Sequence, residues 1–133
     1  MPNLRVLLID DQPTILMLVQ ALLERTLPGV HVIAAKSAAE ALHVLQEQPC
    51  DVVLSDVNMP GEDGFFVLKQ VKRQWPGLPV VLMSGASLAH EAHTAGANGF
   101  LLKPFNVDHF HATLTAVTAL QRDTVGSHCN YLA

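Results

Sequence analysis

The sequence predicts an α/β fold: a doubly wound, five-stranded parallel sheet built from five strand–helix units, (βα)5. Short apolar runs alternate with amphipathic segments along almost the whole chain, and no internal repeat interrupts them. Several runs are nearly continuous Val, Leu and Ile, a composition typical of parallel strands that are covered on both faces. Strict alternation of strands with crossover helices places helices on both faces of one parallel sheet.

The strands are predicted from the short apolar runs. They are residues 5–9 (RVLLI), 31–35 (HVIAA), 52–55 (VVLS), 79–83 (PVVLM) and 99–102 (GFLL). The first, third and fourth are the most uniformly apolar, which favours burial on both sides.

The helices are predicted from apolar periodicity and from their end signals. They cover residues 14–27, 37–48, 64–74, 87–95 and 107–121. Ser37 and Glu40 form an S-x-x-E capping box at the start of the second helix. Pro-Gly pairs and single prolines mark the ends of the elements, and the fourth helix is predicted to be short and weak.

Two helices have apolar faces that can be read from the sequence. In the first, the period runs through Ile15, Leu18, Val19, Leu22 and Thr26, with Leu16 and Leu23 widening the face. In the last, Val107, Phe110, Leu114 and Val117 are predicted to line one face.

Length and composition predict one globular domain over residues 1–121, followed by a poorly ordered tail at 122–133. The chain has 133 residues, of which 50% are hydrophobic and 15% charged, a composition that excludes a disordered protein. The net charge of −4 argues against a nucleic-acid partner, and the sequence has no cluster of Lys and Arg that would favour one.

The cysteine pattern and the hydropathy indicate where the protein works. Cys50 and Cys129 have neither metal-type nor CxxC spacing, which favours a reducing compartment. The N-terminal apolar run is too short for a signal peptide, and nowhere do eighteen apolar residues run together. We therefore expect a cytoplasmic protein without a membrane partner.

Polar residues collect at one predicted edge of the sheet. Reactive groups of such folds lie beyond the carboxyl ends of the strands, and there the sequence has Asp10, Asp11, Asp56, Ser84 and Lys103. Three neighbouring carboxylates repel one another. Lys103 supplies one compensating charge, and a hard Mg²⁺ ion would supply the rest.

A carboxylate beside Mg²⁺ and a lysine is suited to phosphoryl transfer. Asp56 would attack phosphorus in line, the metal and Lys103 would neutralise the equatorial oxygens, and Ser84 would donate a hydrogen bond. The product would be an aspartyl phosphate.

The same residues carry a family resemblance. Asp10-Asp11, Asp56 within DVNMPGEDG, Ser84-Gly85 and Lys103-Pro104-Phe105 occur in this order at strand ends. Over roughly residues 4–121 the chain resembles the receiver domain of two-component response regulators, which has the CheY-like (flavodoxin-like) fold.

The resemblance implies a role for each position. Asp56 would be the phosphoacceptor, and Mg²⁺ would be bound directly by Asp11, Asp56 and the backbone carbonyl of Asn58. Asp10 would act through a bound water. Ser84 would be the switch hydroxyl, Lys103 the phosphate partner and Phe100 the aromatic switch, while Pro104 would follow a cis peptide bond.

The implied function is a regulatory switch in a two-component system or phosphorelay. The phosphoryl group would come from a sensor histidine kinase or a histidine phosphotransfer protein, and the domain would catalyse its own phosphorylation and dephosphorylation. An unknown downstream protein, or an effector domain absent from this chain, would read the phosphorylated state. Only nineteen positions separate Ser84 from Lys103, fewer than is usual in the family, and this puts the usual surface at the fourth helix in doubt.

Alternative interpretations remain at this point. A degenerate receiver could serve as a phosphorylation-independent binding module. An aspartate-nucleophile phosphatase of the haloacid dehalogenase type uses similar groups, but Asn58 occupies the place of its second acid. Asp10-Asp11 could instead cap the first helix, and Asp63 is expected to belong to the turn before the third.

Overall fold

The computed structural model describes residues 4–123 as one five-stranded parallel sheet in the order β2-β1-β3-β4-β5. The strands are β1 (Arg5–Ile9), β2 (His31–Ala35), β3 (Val52–Asp56), β4 (Val80–Ser84) and β5 (Gly99–Leu102). The helices are α1 (Pro13–Thr26), α2 (Ala38–Glu47), α3 (Gly64–Gln74), α4 (Ala89–Ala95) and α5 (Val107–Asp123). The predicted fold class is confirmed, whereas all but two residues of the predicted tail lie outside the described residues.

Two apolar cores flank the sheet, because successive side chains of a strand point to opposite faces. Leu7 and Ile9 of β1 belong to the core beneath α2, α3 and α4. Val6 and Leu8 of the same strand belong to the core beneath α1 and α5. Every residue of β3 and β4 is buried, so these strands lie at the centre of the fold.

Strands β3 and β4 each extend one residue further than predicted. Asp56 is the last residue of β3 and pairs with Met83, while Ser84 ends β4 and pairs with Leu102 of β5. The apolar pattern stops before these polar residues, but the backbone ladder continues through them. Two residues proposed for the chemistry are therefore held by the sheet itself.

Polar side chains fix the start of two helices. Ser37 accepts a hydrogen bond from the Glu40 N–H at 3.1 Å, and Asp63 accepts one from the Phe66 N–H at 3.0 Å. The capping box at α2 differs from its usual form, since the Glu40 side chain accepts from the N–H of Lys36 and not of Ser37. Asp63 therefore caps α3, which agrees with its predicted place in the turn before that helix, although the cap itself was not predicted.

Neither Asp10 nor Asp11 is the N-cap of α1. That position belongs to Gln12, whose side chain makes no capping hydrogen bond, and Pro13 occupies the first helical position. The capping alternative for the acidic pair is therefore wrong, and both carboxylates need another explanation.

The apolar faces of α1 and α5 were predicted only in part. In α1 the buried residues are Leu16, Val19 and Leu23, whereas Leu18 is 52% exposed. The segment ILMLV offers more than one apolar stripe, and packing against the sheet selects one of them. Val107 is 60% exposed because it is the first residue of α5, a turn before Phe110 enters the core.

Within the described residues, no helix combines the length and the apolar character needed to cross a membrane.

Candidate functional site

Four strands deliver polar residues to the carboxyl edge of the sheet. Backbone hydrogen bonds continue the ladder past the strand ends. The backbone N–H of Asp10 donates to the Ala35 carbonyl at 3.1 Å, and the backbone N–H of Lys103 donates to the Ser84 carbonyl at 2.8 Å. The candidate site residues are thus positioned by backbone pairing, which is stiffer than a free loop.

Three carboxylates meet at this edge. Asp10, Asp11 and Asp56 each offer an oxygen atom within 4.8 Å of the others. Asp10 is fully buried and Asp56 is 5% exposed, while Asp11 is half-buried at the entrance. The Asp10 carboxylate also accepts a hydrogen bond from the Gln12 N–H at 3.0 Å, which fixes its orientation.

Lys103 reaches into the same cluster. Its Nζ lies 2.8 Å from Asp56 Oδ1 and 3.4 Å from Asp10 Oδ2. The Lys103–Pro104 peptide bond is cis, the isomer implied by the family resemblance. One ammonium group therefore contacts two of the three carboxylates, which leaves the cluster with excess negative charge.

The donor set fits a hard divalent cation. Carboxylate oxygens are the ligands that Mg²⁺ takes in proteins, and Mg²⁺ keeps part of its water shell, which suits a half-open edge. The uncompensated charge of three acids against one lysine is the observation that favours such an ion. Asp11 and Asp56 would hold it directly, Asp10 would bind one of its waters, and the backbone carbonyl of Asn58 would complete the protein ligands.

The environment of Asp56 disfavours its ionised form. Burial raises the pKa of Asp56 above its ordinary value of 3.8, and the neighbouring charges of Asp10 and Asp11 raise it further. The hydrogen bond and the charge of Lys103 oppose this rise. The carboxylate is therefore incompletely compensated by the protein alone, and a bound cation would relieve it.

Ser84 and Phe100 are not members of this cluster. Ser84 is buried, and its Oγ accepts a hydrogen bond from the Ala86 N–H at 3.0 Å. Phe100 pairs with Leu82 in the β4–β5 register and packs, half-buried, against the core beneath α2, α3 and α4. The cluster itself consists of Asp10, Asp11, Asp56 and Lys103.

Gly64 packs closely against the backbone at the end of β3, whereas from the sequence it was predicted only as the start of a helix. A Cβ atom at this position would overlap the Asp56 carbonyl oxygen and would lie 2.8 Å from the Val57 Cα. The Gly64 N–H also donates to the Val57 carbonyl at 2.9 Å. A signal was available, since glycine is a poor helix former and stands at the first position of α3.

Comparison with known proteins agrees with this geometry. The family model described as "Response regulator receiver domain" matches residues 6–115. The chain is 38% identical over 120 residues to the transcriptional regulatory protein ZraR of Escherichia coli K12, covering 88% of this chain and 27% of ZraR. It is 38% identical over 125 residues to KdpE of Mycobacterium tuberculosis, covering 92% of this chain and 53% of KdpE.

Solved structures match over nearly their whole length. The chemotaxis response regulator CheY4 of Vibrio cholerae superposes with a TM-score of 0.77 at 33% identity, covering 86% of this chain and 98% of CheY4. A receiver domain protein from Clostridium thermocellum gives a TM-score of 0.81 at 29% identity, covering 90% and 97%.

The curated relatives are longer than this chain, which spans between about a quarter and a half of their length. The shared part is the receiver domain. The matched residues 6–115 include the acidic cluster, Lys103 and all but the first residue of the sheet. The chain therefore belongs to the response regulator receiver domain family, the phosphoacceptor domains of two-component signalling.

Proposed function

We propose that Asp56 is the phosphoacceptor and takes the phosphoryl group of a phosphohistidine. Receiver domains are phosphorylated by histidine kinases, and the donor here would be a sensor histidine kinase or a histidine phosphotransfer protein. The single observation that carries the assignment is the position of Asp56. It is a buried carboxylate at the end of a central strand, hydrogen-bonded to Lys103 and grouped with two further acids.

The chemistry follows from these contacts. An Asp56 carboxylate oxygen attacks phosphorus, the bond between phosphorus and the donor histidine nitrogen breaks, and the imidazole leaves with its electron pair. Lys103 then exchanges its contact with Asp56 for a phosphoryl oxygen, and the Ser84 hydroxyl donates to another. A bound Mg²⁺ would neutralise the developing charge on the phosphoryl oxygens.

The reverse reaction is proposed for the same residues. Hydrolysis of the acyl phosphate needs a water molecule in line with the bond between phosphorus and the Asp56 oxygen. Both Asn58 and Ala86 are exposed at this edge, so water has access. The domain would thus catalyse its own phosphorylation and dephosphorylation, while its role is that of a regulator.

The switch would run from Ser84 to Phe100. When Ser84 turns toward the phosphoryl group, its bond to the Ala86 N–H is lost, and Phe100 moves into the space beneath it. The surface of α4, β5 and α5 would then change, which is a shift between two populations of the domain. Exposed Leu102 and Val107 support a protein contact on this surface.

Domain extent and location are also proposed. We assign the receiver domain to residues 1–121, and the match over residues 6–115 supports most of this span. The output partner would be a downstream protein or an attached effector domain. A cytoplasmic location is supported by the cysteines, which lack any paired spacing.

Incubation with acetyl phosphate and Mg²⁺, followed by intact-protein mass spectrometry, tests the assignment. We expect the mass of one phosphoryl group on the wild type, no gain in Asp56→Asn, and no gain in the wild type when EDTA removes the metal. The matched control is Asp63→Asn, which removes an acid from the adjacent turn and should still be phosphorylated.

Two outcomes would contradict the proposal. A wild type that gains no mass with a folded, metal-loaded site would favour the phosphorylation-independent binding module. Multiple turnover of small phosphate esters in Mg²⁺ would favour the phosphatase.

A further inference from the structure

A groove between α3 and α4 lies apart from the acidic cluster and is not used by the proposed chemistry. Its volume is about 400 Å³. Its lining consists of Phe65, Leu68, Lys69, Lys72, Arg73 and Ala95. It therefore combines an apolar floor with three cations of one helix.

The floor is open because α4 is short and ends in a small residue. The helix has only seven residues and stops at Gly96, whose φ of 100° lies in the left-handed region that favours glycine. Ala95, the last residue of α4, presents no more than a methyl group to the groove. A longer helix or a larger side chain at this position would cover the half-buried Phe65, whereas Leu68 is already buried in the core.

The cations on the rim lack acidic partners. Within the described residues, no carboxylate forms an ion pair with Lys69, Lys72 or Arg73. Lys72 is held in place by a 2.8 Å hydrogen bond to Asn98 Oδ1, which also accepts from the Val80 N–H. Burial lowers the pKa of Lys72, so an incoming carboxylate would stabilise its charged form.

Helix electrostatics accounts for only part of this arrangement. Lys72 and Arg73 lie in the last turn of α3, where cations stabilise the carboxyl end of a helix. Lys69 lies a turn earlier and gains little from that effect. All three residues nevertheless line the groove, and the chain as a whole carries a net charge of −4.

We infer that this groove binds an acidic amphipathic helix of a partner protein. Such a helix would place apolar side chains, spaced three or four residues apart, against Phe65 and the methyl group of Ala95. Its flanking carboxylates would meet Lys69 and Arg73 on the rim, with Lys72 between them.

A nucleotide or another concentrated phosphate fits this site less well. Phosphate sites in proteins use the amino ends of helices, where backbone N–H groups and the helix dipole favour an anion. Here the cations stand along the carboxyl end of α3, whose dipole opposes any anion but opposes the concentrated charge of a phosphate dianion more than that of single carboxylates. Carboxylates spread along a partner helix match the spaced row of cations better.

The test is an NMR titration of the ¹⁵N-labelled full chain with a synthetic amphipathic helix that has leucine on one face and glutamate on its flanks. We expect saturable shifts of the amides of Phe65, Lys69, Lys72 and Ala95. The peptide with lysine in place of glutamate should not bind, nor should a scrambled peptide without an apolar face.

Two variants test separately whether binding depends on the positive charge at the rim and on the open space above the apolar floor of the groove. Arg73→Glu should weaken the peptide about tenfold or more, as loss of a complementary interface charge does. Its matched control is Arg25→Glu, an exposed arginine in the last turn of α1, which should change the affinity less than about twofold. Ala95→Leu fills the groove without changing the charge and should abolish binding.

The inference is overturned by any of several results. These are the absence of saturable shifts, shifts that map away from α3 and α4, or equal weakening by Arg73→Glu and Arg25→Glu. Competition of ATP for the same amides would identify a nucleotide site instead, and a wild-type chain that dimerises through this groove in light scattering would identify a second copy as the occupant.

Discussion

At the scale of single residues, the cluster of Asp10, Asp11, Asp56 and Lys103 contains three carboxylates but only one ammonium group, so its negative charge is only partly neutralised. Lys103 bonds two of the carboxylates, and Asp11 stays half-buried at the opening. The sequence pattern of an apolar strand followed by an acid predicted Asp56 as a site residue. Its partners were predicted because functional groups of parallel sheets lie beyond the carboxyl ends of the strands. The bridging position of Lys103 could not be predicted, because it depends on how far each strand end extends.

Replacing Asp56 by asparagine should stabilise the metal-free protein near neutral pH. The raised pKa of Asp56 means that the folded state holds a proton more tightly than the unfolded chain does. The stabilising contribution is therefore complete below the ordinary pKa of 3.8 and is lost as pH rises through the folded-state value. Urea unfolding in EDTA should show Asp56→Asn more stable than the wild type, with the difference shrinking toward acid pH.

The control for this prediction is Glu24→Gln, which removes one negative charge from an exposed position on α1. Its effect on stability should be small, because the side chain is exposed. If Glu24→Gln stabilised the protein as much as Asp56→Asn, the net charge of the chain would be the cause and the local environment of Asp56 would not.

Gly64 gives a second prediction at this scale, because a methyl group there would meet the backbone of Asp56 and Val57. Backbone atoms cannot move aside as a flexible side chain would. Gly64→Ala should lower the free energy of unfolding by about 1–3 kcal/mol, and it should slow phosphorylation by acetyl phosphate because Asp56, the proposed acceptor, is displaced. Chemical denaturation and the rate of mass gain measure the two effects.

Gly77→Ala is the matched control, since a Cβ at Gly77 has no atom within 4 Å and the backbone there is unstrained. It should change stability by less than about 0.5 kcal/mol. Equal behaviour of the two alanine variants would show that Gly64 does not position Asp56.

At the scale of elements, the helix ends were easier to predict than the helix faces. Ser37 caps α2 with a local hydrogen bond that its S-x-x-E pattern predicted, and Asp63, predicted only as a turn residue, caps α3 in the same way. Leu18 and Val107 were placed on buried faces, but both are exposed. The inward face of a helix is chosen by the sheet beneath it, and a segment apolar on several sides leaves that choice to tertiary packing.

Asp63 offers a test at the scale of elements, because capping and chemistry make different predictions for it. Asp63→Ala removes the acceptor for the Phe66 N–H and should lower the free energy of unfolding by about 1 kcal/mol. The extent of phosphorylation in Mg²⁺ should not change. Glu62→Ala, which removes an exposed acid one residue away, should leave both stability and phosphorylation near the wild type; a Glu62→Ala variant as unstable as Asp63→Ala would assign the loss to charge.

At the scale of the whole molecule, the alternation of strands and helices predicted the fold and the edge at which the polar residues meet. What alternation could not predict is the α3–α4 groove. It arises from the short α4, the small Ala95 and three cations of α3, each unremarkable in the sequence. Grooves depend on how two helices end relative to each other, which no local pattern records.

Mg²⁺ should stabilise the whole domain, because the three carboxylates come together only in the folded chain. A ligand that binds the folded state alone at a hundred times its dissociation constant adds about 2.7 kcal/mol. Denaturation at increasing MgCl₂ should show this gain in the wild type, and Asp11→Asn and Asp56→Asn should lose most of it. The gain should also fall as pH decreases, since protons compete for the same oxygens.

KCl at matched ionic strength is the control, because screening alone weakens repulsion among the acids. An equal gain in KCl would mean that the cluster does not bind the metal specifically.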